Sequence, residues 1–140
     1  MAHRLDLEKL AVGQELVPIQ KCISQERIDT YVSAAEDYNP IHVDPAFAKS
    51  TPYGSTIAPG YQFIAYVSEM MTRDFGEKWI TGGVMNVRIL RAVMPKDILN
   101  VGGMVSEKWQ DKEKEVIKCE VWIRNQKDEE VISGYTLVRY

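Results

Sequence analysis

The sequence predicts an α+β domain in which one apolar helix is covered by an antiparallel sheet. Three observations carry that reading. The run 61–75 is apolar on nearly every side, through Phe63, Ile64, Ala65, Tyr66, Val67, Met70 and Met71, so a helix there is expected to be buried almost all round. From Trp79 onward the period changes to two. Met85, Val87 and Ile89 alternate with Asn86, Arg88 and Leu90; Leu99, Val101 and Val105 share a parity; Ile117, Cys119, Val121 and Ile123 alternate with Lys118, Glu120, Trp122 and Arg124. Breaks at Met94-Pro95-Lys96-Asp97, Asp111-Lys112-Glu113 and 125–129 divide this into four strands in succession, a meander ending over 131–139. A meander of long strands after one buried helix has a natural solution, in which the sheet curls around the helix.

The earlier elements follow in order. Residues 7–13 read as a turn and 15–23 as an extended segment that Pro18 marks as an edge or a bulge. Ser24 is placed to cap a helix, with Glu26 in its first turn where the dipole favours a carboxylate. Ile28, Tyr31, Val32 and Ala35 then recur at helical spacing, predicting about three turns that deliver Asp37 at the far end. Asn39-Pro40 is expected to stop any helix, leaving Asp37 and His42 five residues apart on a turn. Asp44-Pro45 reads as an N-cap and first residue of a short helix through Lys49. Loop composition follows over 50–60, with Pro52, Gly54 and Pro59-Gly60, and Gly76 ends the apolar helix.

Composition bounds the function. With 140 residues, 45% of them hydrophobic, the chain is expected to be one domain over 1–140 that buries a single core. A net charge of −3 without a block of like charges argues against nucleic acid or an anionic membrane surface as the partner. Met1-Ala2-His3-Arg4-Leu5-Asp6 has no apolar leader core, and no run approaches the ~18 apolar residues of a membrane span, so a cytoplasmic protein is expected. Cys22 and Cys119 stand far apart with no Cys-x-x-Cys pair, which indicates neither a zinc site nor a disulfide framework; both read as buried strand thiols.

The chemistry concentrates in Glu36-Asp37-Tyr38-Asn39-Pro40-Ile41-His42-Val43-Asp44, which brings a carboxylate and an imidazole into one short segment. A carboxylate at a helix C-terminus meets the unfavourable end of the dipole, so Asp37 calls for another explanation, and pairing with His42 supplies one. Together with Tyr53-Gly54-Ser55-Thr56-Ile57-Ala58-Pro59-Gly60 and the apolar helix after it, this stretch resembles the hydratase motif of the MaoC-like, (R)-specific enoyl-CoA hydratases and acyl dehydratases. The resemblance spans nearly the whole chain. It implies the hot-dog fold, a homodimer, and reversible hydration of trans-2-enoyl thioesters of CoA or acyl-carrier protein, with no metal or redox cofactor.

Carried over residue by residue, the resemblance makes Asp37 and His42 the catalytic pair that holds and activates water. An isolated histidine is more often structural, but His42 fits the motif position for position. Asn39 is given a supporting role beside ordinary Asn-Pro turn chemistry, and Asp44 is better explained as an N-cap. The Gly60 N–H, at the start of the buried helix, suits the thioester oxygen where enolate charge develops. Many relatives carry His-Gly there, whereas this chain has Pro59-Gly60. Ser68, eight residues further on, matches a serine that lines the site, with a hydroxyl bonded back to its own helix as the equal alternative. Pro95-Lys96-Asp97 replaces a common Pro-Gly-Asp, Ala92 stands where a proline is common, and the family's pantetheine tunnel runs near this region. Arg88, Arg91 and Lys96 read as solvated charges before they read as partners for coenzyme A phosphates.

Two rival readings stand beside this one. A hot-dog thioesterase would use a carboxylate on the buried helix, for which Glu69 is the candidate. A non-catalytic acyl-binding or partner subunit would usually have lost one of Asp37 and His42, and both are present.

Overall fold

A computed structural model describes residues 5–140; His3 and the rest of the first four residues lie outside them. A 3-10 turn at Leu7–Lys9 leads to strand β1 (Ile19–Cys22), which begins directly after Pro18 and forms one edge of the sheet. Helix α1 (Gln25–Ala35) starts where the Ser24 hydroxyl accepts the Arg27 N–H at 3.1 Å. It buries Ile28 and Val32, and it ends at Glu36, whose φ of 56° turns the chain so that the Asp37 N–H returns to the Val32 carbonyl.

The segment after Asn39 corrects one expectation. Pro40 does not stop a helix but opens one, the single turn α2 (Pro40–Val43), with the Asn39 side chain accepting the Ile41 N–H at 3.1 Å. Proline is tolerated at the first helical position because no intrahelical acceptor awaits its missing N–H. Asp44 then caps α3 (Pro45–Lys49), accepting from the N–H groups of Ala46 and Phe47.

Helix α4 (Gly60–Phe75) is the centre of the domain. Phe63, Val67, Met70, Met71 and Phe75 are buried, each worth roughly 1.5–3 kcal/mol of apolar transfer. Contrary to the all-round burial expected of it, one stripe is open: Tyr61 is 78% exposed, and Ala65 and Glu69 follow it at i+4 and i+8. The sheet lies against one side of α4 through β3 and β4, which leaves the opposite row outward. A short helix α5 (Glu77–Gly82) intervenes before the strands. Six residues between two glycines carry too little periodicity to betray it.

Strands β2 (Val84–Ile89), β3 (Ile98–Asp111), β4 (Lys114–Arg124) and β5 (Glu130–Arg139) complete one antiparallel sheet of order β1-β3-β4-β5-β2. The inward parity is as predicted: Leu99, Val101, Val105, Ile117, Cys119, Val121 and Ile123 are all buried. The succession is not a simple meander, however. β2 pairs with β5, Val84 opposite Leu137 and Ile89 opposite Ile132, so residues 90–97 cross to the far edge of the sheet. In that crossover Lys96 has a φ of 79°, a left-handed conformation that glycine adopts without strain and lysine does not. Cys22 is also corrected: it is exposed on the edge strand, and only Cys119 is buried.

Candidate active site

Asp37 and His42 are brought together. The Asp37 Oδ2 lies 3.6 Å from the His42 Nε2, with the histidine side chain only 10% exposed and the carboxylate 45%. That separation exceeds a direct hydrogen bond, yet one water fits at ordinary hydrogen-bond distance from both. On the other side of the ring, Nδ1 stands 2.7 Å from the Ile57 carbonyl. A carbonyl only accepts, so Nδ1 carries the proton and donates, and the exchangeable position Nε2 faces Asp37.

The ring is held from behind by residues that sequence reasoning missed. Ile57 also donates its N–H to the Ile41 carbonyl at 3.2 Å, and the Gln25 amide donates to the His42 carbonyl at 2.8 Å. The Gln25 oxygen in turn accepts the buried Thr56 hydroxyl at 2.6 Å. Nothing in the local pattern distinguished Gln25, which merely follows an N-cap. Its partners are distant in sequence and are gathered only by the fold.

His42 and Gly60 line one cleft of about 300 Å3, walled by Tyr53, Phe63, Ile89 and Ala92, with Arg91 beside them. Gly60 is the first residue of α4, and among the described residues no acceptor meets its N–H. The helix dipole favours negative charge there. A Cβ on Gly60 would stand 2.7 Å from the Ile89 Cδ1, so glycine is what lets this wall close against the donor.

The remaining candidates sit elsewhere. Asn39 builds α2 through its cap and so acts on the backbone that carries His42. The Ser68 hydroxyl accepts the Trp79 indole N–H at 2.9 Å, and Ser68 is not part of the cleft wall. Glu69 pairs with Lys21 at 2.8 Å on the open side of α4. Arg91 is ion-paired to Glu129 at 3.0 Å and is more than half exposed. The other side chains on α4 with unusual pairing are Arg73 and Asp74, where the carboxylate raises the guanidinium above its ordinary value by hydrogen bonding. No helix among the described residues is long and apolar enough to cross a membrane.

Comparison with known proteins bears on what this arrangement belongs to. The chain is 33% identical over 58 residues to the 3-hydroxyacyl-thioester dehydratase Z of Mycobacterium tuberculosis, a match covering 41% of this chain and 38% of that protein. It is 27% identical over 74 residues to the (R)-specific enoyl-CoA hydratase of Aeromonas caviae, covering 53% of this chain and 54% of that one. These matches thus span about half or less of either relative. The solved structure of the R-hydratase PhaJ1 from Pseudomonas aeruginosa, in its unliganded form, superposes with a TM-score of 0.79 at 24% identity, over 94% of this chain and 82% of that one. The fold is therefore the hot-dog fold, an antiparallel five-stranded sheet with a helix packed against it. A family model described as the MaoC like domain matches residues 9–126, most of the length of the chain, and the protein therefore belongs to the MaoC-like domain family.

Proposed function

We propose that the protein is a hydro-lyase that adds water reversibly across the trans-2 double bond of an acyl thioester, giving the (R)-3-hydroxyacyl thioester. The observation that carries this reading is the 3.6 Å gap between Asp37 Oδ2 and His42 Nε2, on the same cleft as the unpaired Gly60 N–H. Named relatives that hydrate or dehydrate acyl thioesters support it.

Water sits between the two groups, with the cycle starting from a proton on Nε2. As the water oxygen bonds to C3 and the C2–C3 π bond breaks, Asp37 takes the water proton and the His42 Nε2–H gives one to C2. Both act from one side, so addition is syn. The Gly60 N–H receives the enolate-like oxygen, where charge develops only as the reaction proceeds. Transfer of the proton from Asp37 to Nε2 restores the pair, and dehydration is the same path reversed. No step in this scheme calls for a metal or a redox cofactor. The substrate is carried by CoA or acyl-carrier protein, and the reading puts the enzyme in the cytoplasm.

The Lys21 ion pair on Glu69 weighs against the thioesterase alternative, since a carboxylate engaged by a lysine and lying off the cleft is poorly placed to attack a thioester. The proposal extends to a homodimer. Ile80, Val84, Ile89 and Leu90 are exposed along α5 and the unpaired edge of β2, an edge that a second copy would cover. The test is incubation with crotonyl-CoA, following loss of the enoyl chromophore and release of free thiol. Hydration without thiol release, retained in Glu69→Gln, is the expected result. Thiol release without hydration would replace this reading with the thioesterase.

A further inference from the structure

Between α1 and α4 lies a second concavity of about 530 Å3, larger than the cleft at His42. Arg27, Tyr31 and Ala34 present one row of α1 to it, at i, i+4 and i+7, and Gln62, Ala65 and Tyr66 present α4. Gln25, on a different row of α1, is the residue that reaches His42. The walls are two tyrosines and two alanines, small residues meeting across the helices to leave room. In this apolar setting Gln62 is an anomaly. It is only 5% exposed, and its Oε1 is the one buried side-chain polar atom among the described residues that lacks a hydrogen-bond partner.

A buried amide oxygen without a donor is unfavourable, and leucine would pack the same position without that penalty. The groove also ends close to the reacting groups on both helices. Gln62 stands two residues past Gly60, about 3 Å along the axis, and Ala34 three residues before Asp37. We propose that this groove receives the acyl end of the substrate and that Gln62 selects an acyl group bearing a hydroxyl or N–H donor. The inference rests on the hydratase reading of the site. A plain hydrocarbon chain laid in the groove seals the amide from water and leaves it unpaired; a chain carrying a donor satisfies it. Rotation of the amide by half a turn exchanges its oxygen and nitrogen at little steric change, so the acceptor can be turned to the ligand. The carrier arm, with its amides and phosphates, is left to the cleft beside Arg91.

The experiment uses matched pairs of trans-2-enoyl-CoA thioesters of six, eight and ten carbons, ending in either a methyl or a hydroxymethyl group, assayed on the wild type and on Gln62→Leu. At the length that reaches Gln62, the wild type should prefer the hydroxylated member about three- to tenfold in kcat/KM, the worth of one neutral hydrogen bond. In Gln62→Leu that ratio should fall to one or invert. Crotonyl-CoA, too short to enter the groove, tests the hydratase reading separately. Should the protein hydrate none of these, calorimetric Kd values for the saturated hydroxylated and plain acyl-CoA pairs on both proteins decide the groove alone. A wild-type ratio near one at all three lengths, or a preference that survives in Gln62→Leu, overturns the assignment.

Discussion

The Cδ1 of Ile89, at the end of β2, occupies the space that a side chain on Gly60 would need, 2.7 Å from the position of its Cβ. The obstruction is the tip of a flexible side chain, so Gly60→Ala should fold, with Ile89 displaced into another rotamer. Stability should change by about 1 kcal/mol or less. Turnover should suffer more, about tenfold or greater, because the methyl group also crowds the donor at the helix start. Ile89→Ala combined with Gly60→Ala should recover part of kcat while leaving Tm close to that of the single variants. Equal losses with and without Ile89 would mean that the contact has no bearing on the donor.

At the central pair, Asp37→Asn keeps shape and removes charge, and His42→Gln removes the titrating ring. Each should lower kcat by about 10²- to 10⁴-fold. Because both act on one water, the double variant should lose far less than the product of the two single losses. Kd for a saturated acyl-CoA should stay within a few-fold. Full activity in either single variant would make the segment a structural turn.

Gln25 offers a test of how His42 is positioned. Gln25→Ala removes the hydrogen bond to the His42 carbonyl and the acceptor of the Thr56 hydroxyl. We expect kcat to fall about tenfold with KM nearly unchanged, since small misplacement of a catalytic group is costly while binding is made elsewhere. Gln25→Glu, which keeps the acceptor for Thr56 but not the donor, should behave like Ala in kcat. A loss confined to thermal stability would reduce Gln25 to a structural link.

The two cysteines should part company in solution. Burial pushes the Cys119 thiol up to about 12 from an ordinary value of 9.0, whereas Cys22 is exposed. Native protein should therefore take up one equivalent of iodoacetamide and unfolded protein two. Below pH 9 the Cys119 thiol is protonated in both states and contributes no pH dependence. Between 9 and about 12 the unfolded state loses the proton first, so stability falls with rising pH, by at most about 1.4 kcal/mol per unit from this group. Urea midpoints at pH 8 and 10.5 should drop less for Cys119→Val than for the wild type. An equal drop would assign the alkaline loss to other groups.

Much of this was legible because it is local. The Ser24 and Asp44 caps and the alternating parity of β3 and β4 depend on neighbours a few residues away, and Asp37 and His42 stand five residues apart. What escaped depends on distant partners. The apolar count over 61–75 could not reveal that only one side of α4 meets the sheet, since a long apolar run looks alike whether its outer row is covered or open. Gln62 was passed over in that run, although a lone amide among apolar residues is itself a signal. Asn39-Pro40 was read as a stop because proline forbids a preceding helix; the same ring favours a following one, and the sequence does not say on which side the helix lies. Ser68 matched a motif position, but its hydroxyl is engaged by Trp79 from a helix too short to foresee.

The strand order carries a consequence for how the molecule assembles itself. β3, β4 and β5 are joined by tight hairpins and can zip up from contacts near in sequence, whereas β2 must wait for β5, with β3 and β4 intervening in the chain. Loop-closure entropy makes such pairings late events. β2 brings Ile89 to the wall of the cleft, so the catalytic cavity is finished last, after most of the sheet exists. During synthesis the strand leaves the ribosome well before its partner has been made, and its apolar residues face a period of waiting in which a chaperone, or another copy's open edge, is the competing destination.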